Sequence, residues 1–240
     1  MNMTLRTEFW YDESGAVTVD MTVLAAGVVG LGIATMSVVS SGVEDLSGDI
    51  NAELSSNSWN LFGNGRVSVG SFDFSGGNAA GWLGGSVRNM GGELGELLVL
   101  GPGEVTGFLV EVAEGARNAV MEFDLVAGDS LDNSAQWGTD TATISLNGVP
   151  VAVALASGNS MTFDIPQLDG TTVEATVEVA EVALGGNGGW NDSVASVRVT
   201  VAEPTSDIQF ELQSNANQGI GDEFWGLDNF DASTTGGPGF

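Results

Sequence analysis

Two hydrophobic periods divide this chain. From Met21 to Val43 apolar and small residues run almost without a break: Met21, Val23, Leu24, Val28, Val29, Leu31, Ile33, Met36, Val38 and Val39. The run matches the ~20 residues that span a hydrocarbon core and exceeds the ~7–15 of a secretory signal's apolar stretch. Apolar spacing at Val43, Leu46, Ile50 and Leu54 continues a helical period, so one helix is predicted over residues 16–54. Residues 55–66, rich in Ser, Asn and Gly, read as a linker.

Beyond residue 66 the period becomes two. Ala142, Ile144 and Leu146 alternate with Thr141, Thr143 and Ser145, and Asn147-Gly148 signals a tight hairpin into Val149, Val151 and Val153. Val173 to Val179, Val197 to Val201 and Ile208 to Leu212 alternate in the same way. Turn signals separate them at Gly101-Pro102-Gly103, Asp169-Gly170, Gly185 to Gly189 and Glu203-Pro204. Many short strands with one apolar face predict a two-sheet β-sandwich over residues 67–233, with a flexible tail at 234–240. The fold class expected is mainly β with one long N-terminal helix.

Charge narrows the function. The formal net charge is -27, from 5 basic and 32 acidic residues; every basic residue is arginine, and His and Cys are absent. Such a surface repels nucleic acid and anionic headgroups, and suits a medium whose cations screen or bind carboxylates. Without His, Cys or Lys the usual triads, zinc hydrolysis and Schiff-base routes are closed. Carboxylate pairs are too abundant for any one of them to point to a glycosidase. Gly63-Asn64-Gly65 lacks the Lys-Ser/Thr of a phosphate loop. No enzyme is expected, and no nucleic-acid partner.

The one charge inside the apolar run's head, Asp20, is costly in lipid unless something compensates it. A plain anchor or a cleaved signal peptide leaves it unexplained, and the leader's Glu8, Asp12 and Glu13 outnumber Arg6. Asp12-Glu13-Ser14-Gly15, then Ala16 and an apolar helix with an acid at its fifth residue, resembles the processing site of type IV prepilins, most of all the small Flp-type (type IVb, tight-adherence) pilins. The resemblance implies a leader over 1–15, a cut between Gly15 and Ala16, and Asp20 as the residue that registers subunits in a filament. In the family that acid is usually glutamate, often followed by tyrosine; here Asp20 is shorter and Met21 follows. A prepilin peptidase, the pilus assembly machinery and copies of the chain are the implied partners. The chain would sit in the inner membrane before assembly and in an extracellular filament afterwards, with Arg6 as the inner flank. Small residues along the helix would let backbones approach closely.

The body has a likeness of its own. Phe72-Asp73-Phe74 with Gly81-Trp82, the strand Val120 to Val126 leading to Asp129 to Asp132, Gly189 to Asp192, and Asp222 to Phe230 resemble a jelly-roll module of bacterial surface proteins, similar to lectin-like sandwiches. Acids in its loops make a structural calcium the candidate cofactor, with Asp73, Asp129, Asp132, Asp222 and Asp228 as ligands and Asn133, Glu223 and Asn229 beside them. Asp228, among Trp225, Leu227 and Phe230, should be half-buried. Trp82, Trp137, Trp190 and Trp225 are candidate stacking faces for a glycan, against the commoner role of aromatics as sandwich packing. The expected function is a filament subunit that displays an acidic sandwich for surface or glycan adhesion. The alternative is a membrane-tethered, lectin-like or calcium-binding surface protein that does not polymerise.

Overall fold

The computed structural model describes residues 21, 23–29, 66–134, 136, 138–156 and 160–236, with the side chain of Glu181 excepted. The chain divides into two compact units, Met1–Ser55 and Ser56–Phe240. In the first, the described residues 21 and 23–29 are helical. Among the described residues no helix is long and apolar enough to cross a membrane. The remainder of the expected helix over 16–54, the cut at Gly15 and Ala16, and Asp20 lie outside the described residues.

The second unit is a β-sandwich. Its strands are β1 (Arg66–Phe72), β2 (Ser86–Gly91), β3 (Gly95–Leu100), β4 (Val105–Val110), β5 (Asn118–Asp129), β6 (Asn133–Ser134), β7 (Gly138–Thr139) and β8 (Thr141–Leu146). They continue with β9 (Val149–Ala156), β10 (Met161–Asp164), β11 (Thr171–Val182), β12 (Asp192–Ala202), β13 (Ile208–Ser214) and β14 (Glu223–Thr235). The larger sheet runs β11-β12-β5-β14-β3-β2, and β1 pairs with β14 beyond the end of β3. The smaller runs β10-β9-β8-β13-β4, and β6 with β7 forms a small hairpin. All these pairings are antiparallel.

The sandwich already includes Arg66, the first residue described after the helix. It also extends past the predicted boundary: Thr234 and Thr235, assigned to the tail, are paired on both sides, with β5 and β1. Strand β14 holds the fold together because it pairs with β5 along its length and with two strands in turn on its other edge. Its Trp225, Leu227, Phe230 and Ala232 enter the core, where Phe123, Leu125, Val197 and Val199 meet Ile144, Leu146, Phe210 and Leu212 from the smaller sheet. Phe72, Phe74, Trp82, Phe108, Phe123, Phe210 and Phe230 form one aromatic cluster with centroids 4.9–6.1 Å apart, mostly edge-to-face.

The outer face of the larger sheet carries a second, smaller apolar cluster: Leu94, Leu97, Val99, Val126, Leu184 and Phe224. The segment after β11 roofs it. Leu184 O accepts the Glu93 N–H, and Gly186 N–H reaches Met90 O, so this segment is stitched to the turn between β2 and β3. The rest of the outer face is polar, with Glu122, Asp124, Glu174, Thr176, Glu178, Ser196, Arg198 and Asn229 around a shallow groove of about 360 Å³.

Candidate functional site

The roofing loop is closed by a buried carboxylate. Asp192, at the head of β12, is fully buried. Its Oδ1 accepts the Asp129 N–H at 2.9 Å, and its Oδ2 accepts Leu184 and Gly185 N–H at 2.6 and 3.1 Å. A carboxylate out of water persists where donors satisfy it, and here three backbone amides do so. Asp129, the last residue of β5, adopts a left-handed φ of 62° and is 3% exposed. Its Oδ1 accepts the Asn187 N–H at 2.7 Å, while its Oδ2 is buried without a hydrogen-bond partner. Burial raises the Asp129 pKa to about 6; the Asn187 N–H works against this, and the Asp192 and Asp222 charges add to it.

Asp129 lines one wall of a cleft of about 340 Å³, with Arg88, Asn89, Met90, Gly186, Asn187, Ile220 and Gly221 around it. Gly186 is held at φ 56°, and a Cβ there would stand 2.6 Å from Asp129 Oδ2. The site therefore requires glycine for two reasons, backbone conformation and space. The same loop carries Trp190, whose backbone N–H bonds Asn187 O at 3.0 Å and which is 47% exposed.

The five acids predicted to share one calcium do not converge. Asp129 and Asp222 lie together, because Ser130 N–H and Oγ both bond Asp222 O, at 3.0 and 2.7 Å. Asp132 belongs to a second neighbourhood with Asp140 and Glu223, both fully buried. There Asp140 accepts the Asp132 N–H at 2.9 Å and an Asn217 amide N–H at 3.1 Å. Glu223 accepts Asn217 and Gln218 N–H and the Gln218 amide. Burial first, then the neighbouring acid among the charges, raises the pKa of Asp140 and of Glu223. Asp73 and Asp228 form a third neighbourhood with Asp124. Asp228 is half-buried as expected, and desolvation foremost, with Asp124 and Asp73 nearby, raises its pKa. Asn229, at φ 49°, bridges the pair there by donating its amide to Asp124 at 2.8 Å and its N–H to Asp228 at 2.8 Å. Among the described residues no three acidic side chains stand so as to enclose a metal by themselves.

The candidate stacking faces separate as well. Trp225 is fully buried and Trp82 is 9% exposed, both in the main core, so neither ring is presented to a ligand. This corrects the reading of both as glycan faces: Trp82 packs edge-on or tilted against Phe72, Phe74, Phe108, Phe210 and Phe230, and Trp225 is a fully buried member of the same core. Trp190 is presented. Trp137 lies outside the described residues. Asp140 and Asp192 were not among the predicted ligands. Asp192 stood in a Gly-Gly-Trp-Asn-Asp turn whose polarity signals a loop, and nothing local says that the loop folds back over a sheet.

No family model matches the chain, and neither does any curated protein. Similar solved structures exist at low identity. The K3 cleaved adhesin domain of Lys-gingipain from Porphyromonas gingivalis is 8% identical, with a TM-score of 0.41, covering 70% of this chain and 99% of that one. The CBM2 module of the evolved Dit protein of Lactobacillus casei BL23 phage J-1 is 8% identical, with a TM-score of 0.41, covering 73% and 99%. A family GH115 4-O-methyl-α-glucuronidase, BtGH115A, is 11% identical with a TM-score of 0.35; 69% of this chain spans only 17% of its length.

Proposed function

We propose that this chain is a subunit of an extracellular, type IV pilus-like filament, with its apolar helix in the filament core and its lectin-like, jelly-roll sandwich displayed outside for surface or glycan adhesion. One observation carries the reading. On the described helix Met21, Val23, Leu24, Val28 and Val29 are 61–74% exposed. Side chains of this kind are each worth about 1.5–3 kcal/mol when buried, so a helix that shows them on several faces needs lipid or other helices around it. The Asp-Glu-Ser-Gly leader and Asp20 favour other copies of the chain over lipid alone, because a neighbouring subunit's new amine at Ala16 supplies Asp20 with a counter-charge. A pair of this kind serves register more than net stability. In this reading the sandwich binds and does not catalyse, and Trp190 is the ring it offers to a ligand.

The test is mass spectrometry of the mature N-terminus combined with electron microscopy of material sheared from cells. A chain beginning at Ala16, in filaments that Asp20→Ala abolishes while the sandwich stays folded, is the expected result. Monomers that keep all residues before Ala16 would overturn the filament and leave the tethered alternative.

A further inference from the structure

We propose that the outer face of the smaller sheet, along β4 and β13, is a contact surface for the same face of a second copy of this chain. The proposal goes beyond the filament reading, which joins copies through the helix, and does not rest on it.

Register builds the surface. β4 is the edge of the smaller sheet, and Leu83 adds one bridge beyond it: Leu83 and Gly107 exchange two N–H···O bonds, both at 2.9 Å. Residues opposite one another in such a pair point to the same side. Gly107 alternates with Phe108, which is in the core, and Trp82 is buried in the core as well. Leu83 therefore turns outward beside Gly107, between Val105 and Leu109. Leu83 is 73% exposed, Leu109 47% and Val105 43%. The backbone beneath them is pinned: the Thr106 hydroxyl donates to Gly84 O at 3.0 Å, and Gly84, at φ 77°, lies where a Cβ would stand 2.1 Å from Val105 O. Single exposed aliphatics are ordinary, but three side by side on fixed backbone mark a contact surface.

The field around this patch carries little charge. Leu109, Gly107 and Val105 stand opposite Gln209, Glu211 and Gln213, and the last two stand opposite Ser145 and Thr143 on β8. Glu211 is the one carboxylate inside it; Glu111 and Asp207 stand just beyond the strand ends. The larger sheet's outer face differs, with Glu122, Asp124, Glu174 and Glu178 around its groove and Arg198 as the cation among them.

That contrast selects the occupant. At physiological salt the screening length is about 8 Å, so the charges at a contact decide whether copies of net charge -27 can approach. Two copies meeting on the larger sheet's face would set acid against acid. On the smaller sheet's face each copy brings aliphatic side chains, and amides and hydroxyls that both donate and accept. A surface that matches itself is what a twofold contact requires. A cationic partner would find its carboxylates on the other face, and an anionic one is repelled by the whole body. Glu211 is the group that opposes the contact, because its copy lies across the same interface.

The chain has no cysteine, so single-cysteine variants report contacts cleanly. The full chain in mild detergent, with and without Asp20→Ala, carries either Gln213→Cys in the proposed surface or Thr176→Cys on the other face, and is treated with a short bis-maleimide. Gln213→Cys is expected to give crosslinked dimers in both backgrounds and Thr176→Cys to give none; two chains sharing a micelle would crosslink both alike. Adding Leu109→Glu to Gln213→Cys should weaken association by about tenfold or more at an unchanged melting temperature, since an aliphatic contact is replaced by a charge. Leu83→Glu should do the same and serves if the first variant does not fold. Glu211→Gln, and moderate sodium chloride, should raise the yield. The proposal is overturned if Gln213→Cys stays monomeric, if Thr176→Cys crosslinks equally, or if a folded Leu109→Glu or Leu83→Glu chain crosslinks as before. A monomeric Gln213→Cys chain that a dextran oligosaccharide protects from maleimide would give the face to a glycan and overturn the second copy. Loss of filaments in Asp20→Ala with dimers retained separates this contact from helix-directed assembly.

Discussion

Removing the Asp192 carboxylate tests whether the roofing loop is held by that group's charge and lone pairs or merely by its bulk. Asp192→Ala deletes three N–H···O bonds, to Asp129, Leu184 and Gly185. Hydrogen bonds to an ionised group contribute about 1.5–3 kcal/mol each. Against that stands the several kcal/mol that burying a carboxylate costs, which the substitution also removes. The net loss expected is on the order of 3 kcal/mol, because three buried amides are left bare and the cluster under Leu184 opens to water. The sharper variant is Asp192→Asn, which keeps the shape. An amide has one oxygen and one NH2 group. Placed with its oxygen on Asp129, it points its NH2 at Leu184 and Gly185; flipped, it points NH2 at Asp129. Donor meets donor in either orientation, so Asp192→Asn should lose nearly as much as Asp192→Ala. Urea unfolding gives the free energies, with an unchanged m-value showing that the denatured state is not the cause. Hydrogen exchange at Leu184 and Gly185 reports the loop itself. If Asp192→Asn stays within about 0.5 kcal/mol of the unmodified chain, the size expected of an inert surface change, the carboxylate is not what closes the loop.

Gly128→Ala should destabilise the sandwich by about 1–3 kcal/mol or more, read as a fall in melting temperature, since the new Cβ would collide with the buried Phe224 ring from backbone that cannot retreat. Phe230→Ala, at the middle of the aromatic cluster, should cost about 3–5 kcal/mol in urea unfolding. In the presence of chelator the chain should gain stability as pH falls from neutrality. Asp140 and Asp228 have folded pKa values raised above the unfolded 3.8, so the folded state takes up their protons first. Their contribution therefore grows as pH falls through those raised values and is complete below 3.8. A melting temperature that declines steadily on mild acidification would contradict this. Trp190→Ala should leave melting unchanged within the equivalent of about 0.5 kcal/mol and reduce binding of the full chain to glycan-coated surfaces; undiminished binding removes Trp190 from the binding face.

The strands of the sandwich were legible because alternation reports which residues share a face. Ala142, Ile144 and Leu146 are all buried in β8, and Asn147 and Gly148 turn the chain with φ of 50° and 75°, as a tight hairpin requires. Val197, Val199, Ile208, Phe210 and Leu212 are buried as their period predicts. Val173, Ala175 and Val177 alternate as cleanly but are only partly covered, because β11 is the edge of its sheet. Alternation says nothing about neighbours, and so β1 pairing with β14 across the whole body could not be read from it. The candidate site was hidden for the same reason. Asp129 and Asp192, far apart in the sequence, meet only because β5 pairs with β12, and Trp82 and Trp225 became core residues only once both sheets were in place.

How this chain shields its inner carboxylates follows from its lack of cations. With 5 basic residues to 32 acidic ones, ion pairing can reach only a few acids, and Glu122 and Asp231 already occupy Arg66 and Arg198. The buried acids turn to the backbone instead. Asp192 holds three amides, Glu223 holds two and a Gln218 side chain, and Asp140 holds one and an Asn217 side chain. All three stand at a strand start or just before one, where loop amides have no sheet partner and need an acceptor. Backbone donors carry no net charge, so these contacts fix the loops while leaving the negative charge in place. Salt therefore screens the repulsion between exposed acids more than it weakens the bonds that close the loops. A body built in this way should be stabilised by added monovalent salt, the opposite of one held by surface ion pairs. A melting temperature that falls between low and moderate sodium chloride would show that Arg66 and Arg198, rather than the backbone donors, dominate the electrostatics.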